Sequence, residues 1–221
     1  NEYAPDTMDE GWNVRVHAGS TPATNGTIIA ALFSSCQLVG ITVADGSVAW
    51  STVIGDNGSN TYGQCGSLAL YKDSVIVSFE GGEKFLARYD LATGKEVWKT
   101  ARTGSTWASP MVITAGGKAL AVIGADPTFL AVDAETGAKV WTADAVKDGV
   151  EYAYGPGSVQ AGGILALAGE RCGLVGLDAA TGKEKWAFKS ESIEKYSDGP
   201  SLLSDGTKIF HFYQSTLVAV N

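Results

Sequence analysis

One pattern recurs along this chain and limits what it can fold into. Residues 174–186 read Leu-Val-Gly-Leu-Asp-Ala-Ala-Thr-Gly-Lys-Glu-Lys-Trp. Leu174 to Leu177 has the apolar character of a short strand. Asp178 to Gly182 has turn chemistry: Asp accepts backbone hydrogen bonds ahead of it, and Gly supplies the positive φ of a type I turn plus bulge. Trp186 opens the next strand. The pattern returns from Leu86 through Asp90, Thr93 and Gly94 to Trp98, and from Phe129 through Asp133, Thr136 and Gly137 to Trp141. A looser copy runs from Leu38 through Asp45 and Gly46 to Trp50, and a fifth begins at Leu217. Successive tryptophans lie 48, 43 and 45 residues apart. A period of ~40–50 residues with several short strands per unit belongs to the blades of a β-propeller.

The fold expected is therefore all-β: a five-bladed β-propeller of four-stranded antiparallel blades in one domain spanning residues 1–221. The blades fall at about 17–54, 55–102, 103–145, 146–190, and 191–221 with 9–16. The last blade follows from two complementary gaps. Trp12 to Val16 resembles the strand after each repeat tryptophan but has none before it. Leu217 to Asn221 is a third strand without a fourth. Pairing the N-terminal strand with the C-terminal one closes the ring and removes free sheet edges. Residues 27–33, 74–79, 119–124, 164–168 and 208–213 are expected as second strands, and no window has helical periodicity over the ~11 residues required. Residues 190–196 are expected to form at most one turn.

Within the third strands the residues align in columns. Position one holds Leu38, Leu86, Phe129, Leu174 and Leu217, and position three holds Gly40, Arg88, Ala131, Gly176 and Ala219. The small third position predicts close approach by a bulky group from the neighbouring blade, and the repeat tryptophan is the candidate. Arg88 alone interrupts that column. Trp12, Trp50, Trp98, Trp141, Trp186, Gly46, Gly94, Gly137 and Gly182 are expected to be structural. Replacing one such Trp with Ala is expected to cost roughly 3–5 kcal/mol.

Composition narrows function. With 24 acidic against 16 basic residues the net charge is −8, which argues against nucleic acid and anionic lipid as partners. No apolar run approaches the ~18 residues of a membrane span, and residues 1–16 lack the apolar core of a signal peptide. Two His and three Cys without a Cys-x-x-Cys spacing give no zinc signature. No metal and no cofactor are expected. Cys36 and Cys65, on one face of adjacent blades, are expected to be able to pair as a disulfide, leaving Cys172 as a thiol; that would suit an oxidising compartment. Two Asn-Gly-Ser/Thr sequons, at Asn25 and Asn57, carry little weight in a Gly- and Ser-rich chain.

A strand ending in Asp, then x-x-Thr-Gly, three residues and Trp resembles the repeat of the pyrroloquinoline-quinone-like propellers. That family includes quinoprotein alcohol dehydrogenases and an outer-membrane assembly lipoprotein. The resemblance covers nearly the whole chain and implies the fold; it says little of function. Family members usually have seven or eight blades. The dehydrogenases carry adjacent cysteines over their cofactor, whereas Cys36, Cys65 and Cys172 are never adjacent, and no matching calcium-binding carboxylates are present. No catalytic or cofactor residue is carried over.

The loops leading into the innermost strands bear aromatics: Tyr62, Trp107, Tyr152 with Tyr154, and Tyr196, with His17 in the first blade. Loops between second and third strands add Glu80, Glu83, Lys84, Asp126, Glu170 and Arg171 on the same face. An aromatic concavity with a few charges is the default ligand site, although a tyrosine more often packs its ring between blades. His17, Tyr62, Trp107, Tyr152, Tyr154, Tyr196 and Arg171 are thus the candidate binding residues. The function expected is non-enzymatic: a binding or scaffold module for a protein partner or small ligand, with no transmembrane segment of its own but belonging to a cell-envelope complex. Its expected place is the periplasm, the cell surface or outside the cell. The alternative is an enzyme, either a quinoprotein dehydrogenase or a glycan-active hydrolase with two carboxylates ~5–9.5 Å apart.

Overall fold

The repeat folds as short strands whose geometry is set by the glycine turns. In a computed structural model, the residues described are 19–58, 60, 63–125, 128–144, 146–147, 150–151, 157–169, 173–188, 202–213 and 216–220. Among them there is no helix. The chain divides into two compact units, residues 1–102 and 103–221.

The first unit contains two four-stranded antiparallel sheets. One is β1 (Ala23–Thr24), β2 (Ile28–Leu32), β3 (Gln37–Thr42) and β4 (Val48–Val53), paired in chain order. The other is β5 (Ala69–Tyr71), β6 (Ser74–Glu80), β7 (Lys84–Asp90) and β8 (Glu96–Ala101), ordered likewise. The second unit repeats this with β9 (Met111–Ala115), β10 (Lys118–Ala125), β11 (Thr128–Asp133) and β12 (Lys139–Asp144). A two-stranded hairpin follows, β13 (Val146–Lys147) with β14 (Val150–Glu151), which the sequence pattern does not predict. The next sheet is β15 (Val159–Ala161), β16 (Ile164–Gly169), β17 (Gly173–Asp178) and β18 (Glu184–Phe188). The last has three described strands, β19 (Leu203–Ser204), β20 (Ile209–Tyr213) and β21 (Thr216–Val220). Trp12 and residues 9–16, expected as its fourth strand, lie outside the described residues, as does the turn expected at 190–196.

Burial follows strand position. Every residue of β6 is buried, and β7 is buried at all but its two ends. A strand covered on both faces accommodates a continuous apolar run better than an alternating one. The fourth strands are mostly exposed, with β4 and β8 burying only the side that carries the tryptophan.

The turns match the expected chemistry. Gly46, Gly94, Gly137 and Gly182 adopt φ of 69–73°, the left-handed region open to glycine without steric cost. Gly94 N–H donates to Asp90 O and Gly182 N–H to Asp178 O, both at 2.8 Å. Asp90 Oδ1 accepts from Thr93 N–H at 2.9 Å and from the Thr93 hydroxyl at 2.6 Å. Asp178 does the same for Thr181, at 3.0 and 2.9 Å. The first sheet has Thr42 where β7, β11 and β17 end in Asp, and Asp45 takes over, accepting from Ser47 N–H at 2.9 Å.

The small third-strand column is explained differently from the expectation. The tryptophan facing it belongs to the same sheet, not to the neighbouring one: Gly40 pairs with Trp50, Ala131 with Trp141 and Gly176 with Trp186. A Cβ on Gly40 or Gly176 would fall inside the opposing indole. Immediately after each pair the register shifts by a bulge, which adds local twist to the fourth strand. The indole then reaches forward to the turn of the next sheet. Trp50 Nε1 donates to Leu91 O at 2.8 Å, and a Cβ on Gly94 would enter the Trp50 ring. Trp141 Nε1 donates to Ala179 O at 3.1 Å, and a Cβ on Gly182 would lie 2.6 Å from it. The neighbouring blade thus contributes the glycine of its turn, and Trp50 and Trp141 are each held against it. Trp186, partly buried, packs in one apolar cluster with Leu202 and with Ile209 and Val220 of the last sheet.

Arg88 breaks the column without disrupting it. It pairs with Trp98 across the sheet, is 8% exposed, and places its guanidinium 5.0 Å from the Tyr71 ring on β5. Such a cation–π contact stabilises a desolvated guanidinium.

Candidate docking face

The candidate binding residues are expected on loops that lead into the innermost strands and on hairpins between second and third strands; Trp107 belongs to the second unit and the loop between 54 and 64 to the first. Of the candidate binding residues, Trp107 is described. His17, Tyr62, Tyr152, Tyr154, Tyr196 and Arg171 lie outside the described residues, as do Asp126 and Glu170.

Trp107 lies in the extended segment that precedes β9. Arg102, Thr106, Ala108 and Pro110 are buried there, while Thr103, Ser105 and Trp107 are exposed. The alternation is that of a strand with one face turned outward. Thr106, 2% exposed, accepts from Ala108 N–H at 3.0 Å through its hydroxyl and fixes the local bend. Trp107 remains 45% exposed. A large aromatic so presented on an ordered segment has the character of an interface anchor.

The described residues of the loop leading into the second sheet, between 54 and 64, are organised by polar contacts. Gly82 N–H donates to Asp56 O at 2.9 Å, so the loop passes directly over the β6–β7 hairpin. Gly55 and Gly81 permit this: a Cβ on either would meet the Phe79 ring, 2.5–2.6 Å away. Phe79 itself stacks on Phe85 with ring centroids 4.7 Å apart. Asn60 Nδ2 donates to Gly63 O at 2.7 Å and to Glu80 O at 2.8 Å. Gln64 clamps the backbone of Glu80 from both sides, donating to its carbonyl and accepting from its N–H at 3.0 Å. Ser20 in turn donates to Gln64 O at 2.9 Å.

Below this lattice lies an ion pair that sequence reading misses. The Glu80 carboxylate pairs with Arg102, whose side chain is 2% exposed against 10% for Glu80. Arg102 Nη2 also donates to Ser78 Oγ at 3.1 Å and Phe79 O at 3.0 Å. Burial lowers the Arg102 pKa to about 10, which leaves it charged at neutral pH. The sequence places Glu80 among the rim charges of the hairpin; in the fold it is an internal one. The signal that could have revealed it is the repeat alignment, where Arg102 occupies the place that Ile54 takes one blade earlier.

Cys36 and Cys65 are thiols and are not joined by the expected disulfide. Cys36 is buried and directs its Sγ toward Ser34 O at 3.8 Å and Asn57 Oδ1 at 4.0 Å, while Cys65 Sγ lies 3.8 Å from Gly63 O. Each thiol therefore has a carbonyl partner of its own. Burial, with Asp56 adding to it, raises the Cys36 pKa to about 11, and burial also raises that of Cys65. Cys172 lies outside the described residues. Among the described residues, no three His, Cys, Asp or Glu side chains converge on a cation-sized site.

Repeated four-stranded antiparallel sheets, joined within each unit by a tryptophan that reaches the next turn, define the β-propeller class with quinoprotein-type repeats. Comparison with known proteins extends this. The profile of the family described as outer membrane protein assembly factor BamB matches residues 63–220, and the chain belongs to that family. BamB from Moraxella catarrhalis is similar in structure, with a TM-score of 0.69 and 18% identity, over 92% of this chain and 61% of that one. The quinohemoprotein alcohol dehydrogenase from Comamonas testosteroni gives a TM-score of 0.63 and 20% identity, over 88% of this chain and 39% of that one. A europium-containing methanol dehydrogenase gives 0.64 and 16%, over 76% and 40%. This chain thus spans about three-fifths of that BamB and two-fifths of either dehydrogenase. No protein of curated function matches the sequence. No helix among the described residues is long and apolar enough to cross a membrane.

Proposed function

We propose that this chain is a non-enzymatic docking module that binds a protein partner on the face of the lead-in loops, within a cell-envelope assembly. The observation that carries the reading is Trp107: an exposed tryptophan on an ordered segment, set among the small residues Ser105, Thr106, Ala108 and Ser109. Membership of the BamB family supports a protein partner and a periplasmic or envelope location. The acidic charge of −8 supports a partner with a basic or neutral surface.

Five blades in a closed ring complete this proposal, with residues 9–16 beside β21 as the fourth strand of the last blade. Deleting residues 1–18 is then expected to increase amide exchange in β21; unchanged exchange there would refute the closure.

The test of docking is a cross-linking pull-down from the native envelope fraction, wild type beside Trp107→Ala. A partner captured by wild type and lost by a folded variant supports the face. Capture unaffected by the variant moves the interface elsewhere. The second reading, a quinoprotein dehydrogenase, draws on the structural similarity to two quinohemoprotein alcohol dehydrogenases. Dye-linked alcohol oxidation after incubation with calcium and pyrroloquinoline quinone would establish it.

A further inference from the structure

The Glu80–Arg102 pair stands where the sister blade manages without charges. The two blades align through Leu38 with Thr52 and Leu86 with Thr100, which are equivalent cross-strand pairs. Two residues on, Ile54 N–H donates to Cys36 O in one blade and Arg102 N–H to Lys84 O in the other, both at 3.0 Å. Ile54 is 6% exposed and belongs to the apolar core. On β2 and β6, the pairs Leu32 with Leu38 and Ser78 with Leu86 are likewise equivalent, so Ser34 takes the place of Glu80. The hairpin that follows is two residues longer in the second blade, and the extra length includes Gly81 and Gly82.

An isoleucine thus suffices for the fold at this position. Buried ion pairs seldom stabilise a protein more than the apolar residues that could replace them, although removing one partner is strongly destabilising. Stability alone therefore gives no reason for the pair. Its surroundings do. Glu80 is where three separate segments meet. Asn60 and Gln64 hold its backbone from the lead-in loop. Arg102 holds its carboxylate from the end of the fourth strand while also binding Ser78 and Phe79.

We infer that Glu80 and Arg102 form a latch that holds the described residues of the lead-in loop, 56–58, 60 and 63–64, against the lengthened 80–84 hairpin. Glu80 and Arg102 are positioning residues: neither is exposed enough to touch a partner. The latch preorganises the described part of the lead-in loop, and a segment fixed before binding does not lose conformational freedom on binding. This last consequence rests on the docking reading above; the latch itself does not.

Amide hydrogen exchange on the whole chain tests it. In Glu80→Gln and in Arg102→Gln, exchange at Asp56 to Gln64 and at Gly82 is expected to accelerate roughly tenfold or more, with β2, β3, β16 and β17 unchanged. Arg102→Lys, which keeps the charge but lacks the guanidinium fork, is expected to fall between wild type and Arg102→Gln. If the two Gln variants loosen every strand, the double variant Glu80→Ser/Arg102→Ile decides: it carries the residues of the first blade, leaves no unpaired charge, and is expected to fold and to loosen the loop alone. Wild-type exchange in the loop of the variants that fold, or a double variant whose loop loosens only in step with global unfolding, overturns the latch. Local loosening with partner capture undiminished supports the latch and counts against the docking reading at this loop.

Discussion

The tryptophan hand-over between sheets makes a quantitative prediction at Gly94. Alanine there meets two obstacles. The backbone sits at φ +69°, which costs an L-residue ~1–2 kcal/mol. The new methyl also enters the Trp50 indole, which must shift. Moving the ring removes the hydrogen bond to Leu91 O, worth ~1 kcal/mol, and imposes an overpacking cost of ~1–3 kcal/mol. The total for Gly94→Ala is about 3–6 kcal/mol. Gly117→Ala is the control, because Gly117 has a similar φ of +75° but nothing within 4 Å of where the added methyl would sit. Only the conformational cost applies there, about 1–2 kcal/mol. Urea unfolding, followed by tryptophan fluorescence and circular dichroism, measures both midpoints. If the two variants lose equal stability, the indole does not depend on the glycine of the next turn, and the account of how successive blades are joined is wrong.

Two further predictions concern buried titratable groups. His211 on β20 is fully buried, and burial lowers its pKa below 6.5. The unfolded chain therefore takes up a proton that the folded one resists: stability is intact above about pH 6.5 and falls as pH drops below it, by at most ~1.4 kcal/mol per pH unit. Urea midpoints across pH 5–7.5 should show this slope, and His211→Phe should reduce it; an unchanged slope would assign it to other groups. Cys36, buried and with its pKa raised to about 11, should react with iodoacetamide at pH 7.5 far more slowly in the folded protein than in urea. Mass mapping of the labelled peptides reads this residue by residue, and equal rates in both states would show that the site opens.

The parts of this fold that are legible in the sequence are those where one residue type answers one local demand. Gly94 and Gly182 announce a positive φ, and Asp90 and Asp178 announce a turn cap; both demands are met within a few residues, so spacing alone exposes them. The tryptophan is legible as structural, but its direction is not. Sequence distance cannot tell whether Trp50 covers Gly40 from its own sheet or Gly94 from the next, and it does both because the bulge after Gly40 turns the fourth strand. The state of the two cysteines is likewise not set by sequence distance. Membership of the same face makes Cys36 and Cys65 candidates for pairing, but each thiol is directed at its own backbone carbonyl.

What the sequence conceals most is polar chemistry inside apolar columns. Arg88, Glu80 and Arg102 are each 8% exposed, and all three lie in the second blade. Charged residues are seldom so buried unless they are paired, and here the partners come from far along the chain: Tyr71 for Arg88, and Ser78 with Glu80 for Arg102. A repeat supplies its own control for such cases. Where one blade keeps Gly40 and Ile54 while its neighbour has Arg88 and Arg102, the backbone demand is the same and the apolar solution is known to be sufficient. The departure must then answer something the common scaffold does not require. In the second blade that requirement centres on Glu80, where the lead-in loop, the long hairpin and the fourth strand converge.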